Sequence, residues 1–266
     1  KTLIDFSLMK VKFTILGCGS SLGVPRIDGF FGNCDPKNIK NYRTRCSALI
    51  SFNKMNILID TSPDIKKQLL SQNVKNIDKV FYTHNHADQS HGINELRLFY
   101  LKNKKQIPVY ADTNTSKYLY QSFKYCFKSK NDGYEATLKL MKLKKDHIIR
   151  SGKHKIILKN IPVRHGRIDS IAYIVNNKCA YIPDANQIYA KDIKNFVKLE
   201  YLVIDCLQYN QHPSHFSLFD VLNLIKKIKP KKTILTNLNN QIDYRSVKKV
   251  IPKNVFPAYD GMSFYL

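Results

Sequence analysis

Thr83-His84-Asn85-His86-Ala87-Asp88-Gln89-Ser90-His91-Gly92 is the stretch on which the reading of this chain turns. It follows an apolar run, Lys79 to Tyr82, that reads as a buried strand. Four ionisable side chains, His84, His86, Asp88 and His91, fall within eight residues. In extended backbone side chains alternate with period two, so His84 and His86 project to the same side and can reach one metal ion. Imidazole and carboxylate together suit zinc, manganese or iron better than calcium or magnesium. A lone histidine in a loop would read as solvated and incidental, whereas H-x-H-x-D directly after a strand reads as a metal site.

Outward from this stretch, 266 residues suffice for a substantial core in one large domain or two small ones. No apolar run approaches the roughly 20 residues that cross a bilayer, and no charged-then-apolar signal segment opens the chain. The first residue is Lys1, and Met9, followed by the strand-like Lys10 to Leu16, reads as the start of the fold. Residues 1–8 are therefore expected to be an upstream extension, and residues 9–266 one domain. The net charge is +24. It either attracts anions such as phosphate esters or nucleic acid, or reflects a composition rich in Lys, Asn and Ile with no Trp, as an A/T-biased genome gives. The lysines are scattered rather than gathered into an arm, which fits the second reading. None of the six cysteines forms C-x-x-C, and a reducing cytoplasm is the simplest compartment.

In chain order, Val11 to Leu16 reads as a strand running into Gly17-Cys18-Gly19-Ser20-Ser21-Leu22-Gly23, where small residues let the backbone turn and approach a ligand. The spacing is neither a dinucleotide fingerprint nor a Walker loop. Residues 26–46 form a long irregular segment containing Arg43 and Arg45, which could hold a substrate phosphate or could simply be solvated. Ser47–Phe52 and Ile57–Asp60 read as a hairpin across residues 53–56. Helices are expected from Ser62-Pro63-Asp64, over 92–101, 116–127, 217–228 and 246–250. Strands are expected at 108–111, 138–143, 155–163, 170–175, 179–182, 202–205 and 233–236, with two more closing the chain and a polar loop over 128–135. Asn176-Asn177 reads as a hairpin turn. Two β-rich layers with helices outside give an α/β four-layer αββα sandwich.

Further polar groups fall just past apolar strands: His165, Asp184, and His212 with His215. Each alone would read as structural, but their shared position lifts them, and three histidines with a carboxylate form a plausible metal shell. With the H-x-H-x-D motif, this order resembles the metallo-β-lactamase superfamily of hydrolases. Gly17-Cys18-Gly19-Ser20-Ser21, Pro25-Arg26, Gly92 to Arg97 and His212 to Ser217 resemble its phosphodiesterase branch, which includes the phosphoribosyl cyclic-phosphate phosphodiesterase. The tRNA 3′-processing nucleases are more distant relatives. The resemblance implies His84, His86 and His165 as ligands of a first metal. It implies Asp184 as the carboxylate bridging two metals, Asp88 as second-site ligand and water-orienting group, and His215 as proton donor to the leaving group.

Two residues depart from the family pattern. Gln89 and Asn237 stand where histidines of the second metal belong. Both amides still offer carbonyl oxygens, which harder ions tolerate. One zinc or manganese ion is therefore expected rather than two. The expected function is hydrolysis of a phosphodiester, a small cyclic phosphate, with RNA cleavage or a non-catalytic binding role as alternatives. No membrane contact is expected, and the oligomeric state, a homodimer included, stays open.

Overall fold

A computed structural model describes residues 10–129 and 133–266. The extension expected over residues 1–8, and part of the polar loop expected over 128–135, lie outside the described residues. Strand β1 (Lys12–Gly17) has Phe13 and Ile15 on one face and Thr14 and Leu16 on the other, all buried. A strand buried on both faces needs a layer on each side, and the same double burial recurs through the chain. The first half continues with β2 (Ser47–Phe52), β3 (Met55–Ile59), α1 (Ile65–Ser71), β4 (Lys79–Phe81), α2 (Ala87–Ser90) and α3 (Arg97–Asn103). It closes with β5 (Ile107–Ala111), α4 (Thr113–Ser122), α5 (Lys124–Phe127) and β6 (Leu138–Lys142). The second half runs through β7 (Asp146–Ser151), β8 (His154–His165), β9 (Ile168–Val175), β10 (Cys179–Ile182) and β11 (Tyr201–Asp205). Then come α6 (Leu218–Ile228), β12 (Lys232–Thr236), α7 (Tyr244–Val250), β13 (Val255–Pro257) and β14 (Met262–Tyr265).

The strands form two seven-stranded sheets, ordered β14-β1-β2-β3-β4-β5-β6 and β13-β12-β11-β10-β9-β8-β7. Between them Phe13, Ile15, Ile50, Ile57 and Phe81 meet Leu158, Tyr173, Tyr181, Val203 and Ile234. The outer face of the first sheet packs Leu49, Leu58 and Val80 against Ile65, Leu69 and Phe99. That of the second packs Leu202, Ile204 and Leu235 against Val221, Ile225 and Val247. This is the expected αββα sandwich. Strand direction gathers the polar strand ends: β3 and β4 are parallel, and β8, β10, β11 and β12 all point one way. Their carboxyl ends therefore open on one edge of the sandwich. Among the described residues no helix is long and apolar enough to cross a membrane.

Several elements differ from the sequence reading for local reasons. The first hairpin turns on Asn53-Lys54 alone, both left-handed (φ 39° and 66°), so Met55 and Asn56 join β3. Residues 93–96 form a 3-10 turn ahead of α3. α4 starts at Thr113 because the Asp112 carboxylate accepts from the Asn114 and Thr115 amides. Phe123 then leaves helical geometry and separates α5. β7 is absent from the expected strands. It pairs only with β8, as an edge strand with exposed polar residues.

Arg43 and Arg45 correct the sequence expectation. Arg43 is 2% exposed. Its guanidinium donates to the carbonyls of Asn239 (3.0 Å) and Ile242 (2.7 Å) and to Asn41 Oδ1 (3.0 Å). Arg45 is tied to Asp64 at the start of α1. Neither is among the residues lining the cleft of the candidate site, and each is bonded to backbone or carboxylate elsewhere in the fold. Arg43 instead fastens the irregular segment, against which the opening glycines press, to the loop after β12. A Cβ on Gly17 would lie 2.1 Å from the Arg45 carbonyl oxygen, and one on Gly19 2.7 Å from that of Arg43. Arg43→Ala should leave these buried carbonyls unsatisfied and destabilise the fold by about 3 kcal/mol. Arg43→Lys should recover only part of that, since an ammonium lacks the fork geometry. Urea unfolding of both variants checks this.

Candidate metal centre

The end of β4 is fixed from the neighbouring strand. Asp60, just past β3 and fully buried, accepts from the Thr83 amide at 2.8 Å and from the Thr83 hydroxyl at 2.9 Å. With its proton donated to Asp60, the Thr83 oxygen accepts from His84 Nδ1, 3.0 Å away. That sets the tautomer of His84 and leaves its Nε2 with a lone pair. This Nε2 is buried and has no partner. Burial, with His86 and His165 nearby, holds the His84 imidazole well below its usual pKa, and therefore neutral.

His165, at the carboxyl end of β8, is oriented the same way. Its Nδ1 donates to the Ser214 carbonyl at 2.7 Å, which frees Nε2. That nitrogen lies 3.4 Å from His86 Nδ1, a spacing that asks for a proton or a cation between two lone pairs. Burial, with the nearby His215, pushes His165 down to about 4. The ligand atoms of His84, His86 and His165 all lie within 4.8 Å of one another. A buried orphan nitrogen, a second nitrogen freed by an outward hydrogen bond, and neutral rings are the chemistry a zinc or manganese ion asks for. His165, Asp184 and His215 make a second group within the same limit.

Asp184, just past β10, completes this wall and is 2% exposed. Its carboxylate accepts from Gln89 Nε2 at 3.0 Å and from Asn237 Nδ2 at 3.1 Å. The nitrogen ends of the amides, not the carbonyl ends expected for a harder ion, face the carboxylate. Asn237 follows β12 with a left-handed backbone (φ 58°), a conformation asparagine tolerates. His215 Nδ1 lies 2.7 Å from Asp205 Oδ2 and 3.9 Å from Asp184. Burial opposes its charge, but Asp205 and Asp184 outweigh that and raise it to about 9. His86, Asp88, His165, Asp184 and His215 line one cleft of ≈ 410 Å³, together with Ser20 to Gly23 and Arg26.

The structure thus brings together His84, His86, Asp88, His165, Asp184 and His215. His91 points elsewhere and bonds Tyr118. Sequence reasoning missed Thr83 and Asp205. Asp205 ends β11, parallel to β10, so the strand-end rule that found Asp184 would also have found it. Thr83 carried no signal beyond its place before His84. Thr83→Val should weaken metal affinity about 10–100-fold by freeing the His84 ring, while Thr83→Ser should restore it. Competition against a chelator measures both.

Comparison with known proteins agrees with this geometry. The β-lactamase superfamily domain family matches residues 55–236. A crystal structure described as a new diphosphatase from the PhnP family superposes with a TM-score of 0.85 at 27% identity, covering 97% of this chain and 98% of that one. Human tRNase Z, short form, superposes with a TM-score of 0.67 at 16% identity over 95% of this chain and 98% of that one, a likeness of fold. Zinc-bound PqqB from Methylobacterium extorquens gives 0.71 at 15% identity over 96% of this chain and 100% of that one. A curated protein of Porphyromonas gingivalis named octanoyltransferase is 27% identical over 251 residues. The match covers 93% of this chain and 50% of that protein, so the chain spans about half the length of this relative, whose name describes the longer whole. With more than half of its length matched, the chain belongs to the β-lactamase superfamily domain family, and it shares its fold with the PhnP-family diphosphatase.

Proposed function

We propose that this protein is a metal-dependent hydrolase of phosphodiesters, acting on a small cyclic phosphate, with residues 9–266 as its single hydrolase domain. The observation that carries this is the convergence of His84, His86 and His165 beside Asp184, in a cleft that also presents Asp88 and His215. A zinc or manganese ion held by His84, His86, His165 and Asp184 would polarise a phosphoryl oxygen and lower the pKa of water. Asp88 faces the cleft and orients the attacking water through its carboxylate. Asp205 holds the His215 ring by Nδ1, leaving Nε2 to protonate the departing oxygen. The cleft, at ≈ 410 Å³, is the size of a small-molecule site. Likeness to a PhnP-family diphosphatase supports phosphoryl chemistry. The free, buried cysteines support a reducing, cytoplasmic setting.

Metal analysis of the purified protein, with turnover of an aryl phosphodiester, tests this. Bound zinc or manganese and metal-stimulated hydrolysis are expected. Asp88→Asn and His215→Ala should each lower kcat about 100-fold or more. Absence of metal-stimulated turnover, with or without a bound transition metal, would reject the proposal.

RNA cleavage by the same site is a second reading, favoured by the net charge of +24. It requires RNA to bind with strong salt dependence and to compete with the aryl ester. RNA that neither binds nor competes rejects it.

A further inference from the structure

In this site hydrogen-bond donors surround the Asp184 carboxylate. Gln89, on α2, is 0% exposed, and its Nε2 lies between two carboxylates, 3.0 Å from Asp184 Oδ2 and 3.3 Å from Asp88 Oδ2. Only the NH₂ end of an amide can serve that position, because an oxygen there would face acceptors on both sides. Asn237, 1% exposed, directs its Nδ2 to the other Asp184 oxygen at 3.1 Å, and that nitrogen is 3.2 Å from His215 Nδ1. Both oxygens of a buried carboxylate are therefore satisfied by neutral amides from two separate elements. The Gln89 Oε1 is buried with no partner, so its carbonyl is not fastened toward the shared carboxylate.

We propose that Gln89 and Asn237 form an amide clamp on Asp184 that takes the place of a second cation, closes that position to metal, and aims Asp184 at the single ion bound by the histidines. This inference rests on the metal-dependent reading of the site. The donor geometry favours it. A second cation beside Asp184 would meet the N–H groups of Gln89 and Asn237 instead of lone pairs. The clamp residues are positioning residues: they act through Asp184.

The test is metal binding by the metal-free protein, with zinc or manganese titrated in a calorimeter and ion content read by plasma emission. The wild-type chain should saturate at one ion. Gln89→His with Asn237→His should take two. Gln89→Leu, and Asn237→Gly, which keeps the left-handed backbone unstrained, should each still bind one ion but about 10–100-fold more weakly. A wild-type chain that binds two ions overturns the clamp whatever the variants do. So does unchanged one-ion affinity in both donor-removing variants. Should those variants fail to fold, Gln89→Glu decides. It sets a third carboxylate against Asp88 and Asp184 and should admit a second ion, and continued binding of one ion only overturns the proposal. The same samples assayed on the aryl phosphodiester keep the two ideas apart. One-ion binding that the donor-removing variants weaken, without turnover, leaves the clamp standing and rejects the hydrolase. Two-ion binding with turnover does the reverse.

Discussion

Everything at this site depends on one buried carboxylate receiving two hydrogen bonds across neighbouring parallel strands. Asp60 accepts from both the amide and the hydroxyl of Thr83. Burial holds its pKa well above the usual carboxylate range, and the Thr83 bonds counter part of that. Asp60 itself adopts a left-handed backbone (φ 63°), which turns the chain at the end of β3 and presents the side chain sideways to β4. The gain is directional. Thr83 cannot rotate, so His84 Nδ1 has one acceptor and His84 Nε2 one direction in which to look. A carboxyl group buried for structural ends thereby becomes the reference point for a ring whose free nitrogen faces His86 and His165.

The second half of the molecule solves the same problem by strand direction. β8, β10, β11 and β12 end together, and the residue at or just past each end is His165, Asp184, Asp205 or Asn237. Parallel register places these side chains at one edge without any loop having to reach for them. The two halves meet where Gln89 touches Asp184 and His86 touches His165. A carboxylate as buried as Asp184 is tolerable only with both oxygens engaged.

How much of this was legible in the sequence depends on the range of the interactions. The H-x-H-x-D motif and the apolar strands were legible because they are local: adjacent residues determine their geometry. The αββα layering was legible because strands buried on both faces read as unbroken apolar runs. Arg43 misleads because its partners, Asn239 and Ile242, lie 196 and 199 residues away, and nothing near it in sequence says that it is buried. Arg45 misleads for a related reason, since Asp64 belongs to the next element. β7 escapes notice because an edge strand alternates polar and apolar residues weakly and has a neighbour on one side only. The departures at Gln89 and Asn237 were visible as letters. Which end of each amide faces the carboxylate became visible only with both carboxylates in place around Gln89.

The left-handed backbone at Asn237 bears on heredity as well as on geometry. Glycine, asparagine and aspartate, and to a lesser degree histidine, occupy that conformation more readily than most residues. Random change at this position is therefore channelled toward a short set of residues, most of them able to bond a carboxylate or a cation. A bulky apolar residue would strain the loop that Arg43 fastens, whatever it did to the chemistry. The fold thus keeps a donor or ligand next to Asp184 for reasons of chain conformation. Histidine at this position stays compatible with the chain for as long as the strand ends as it does.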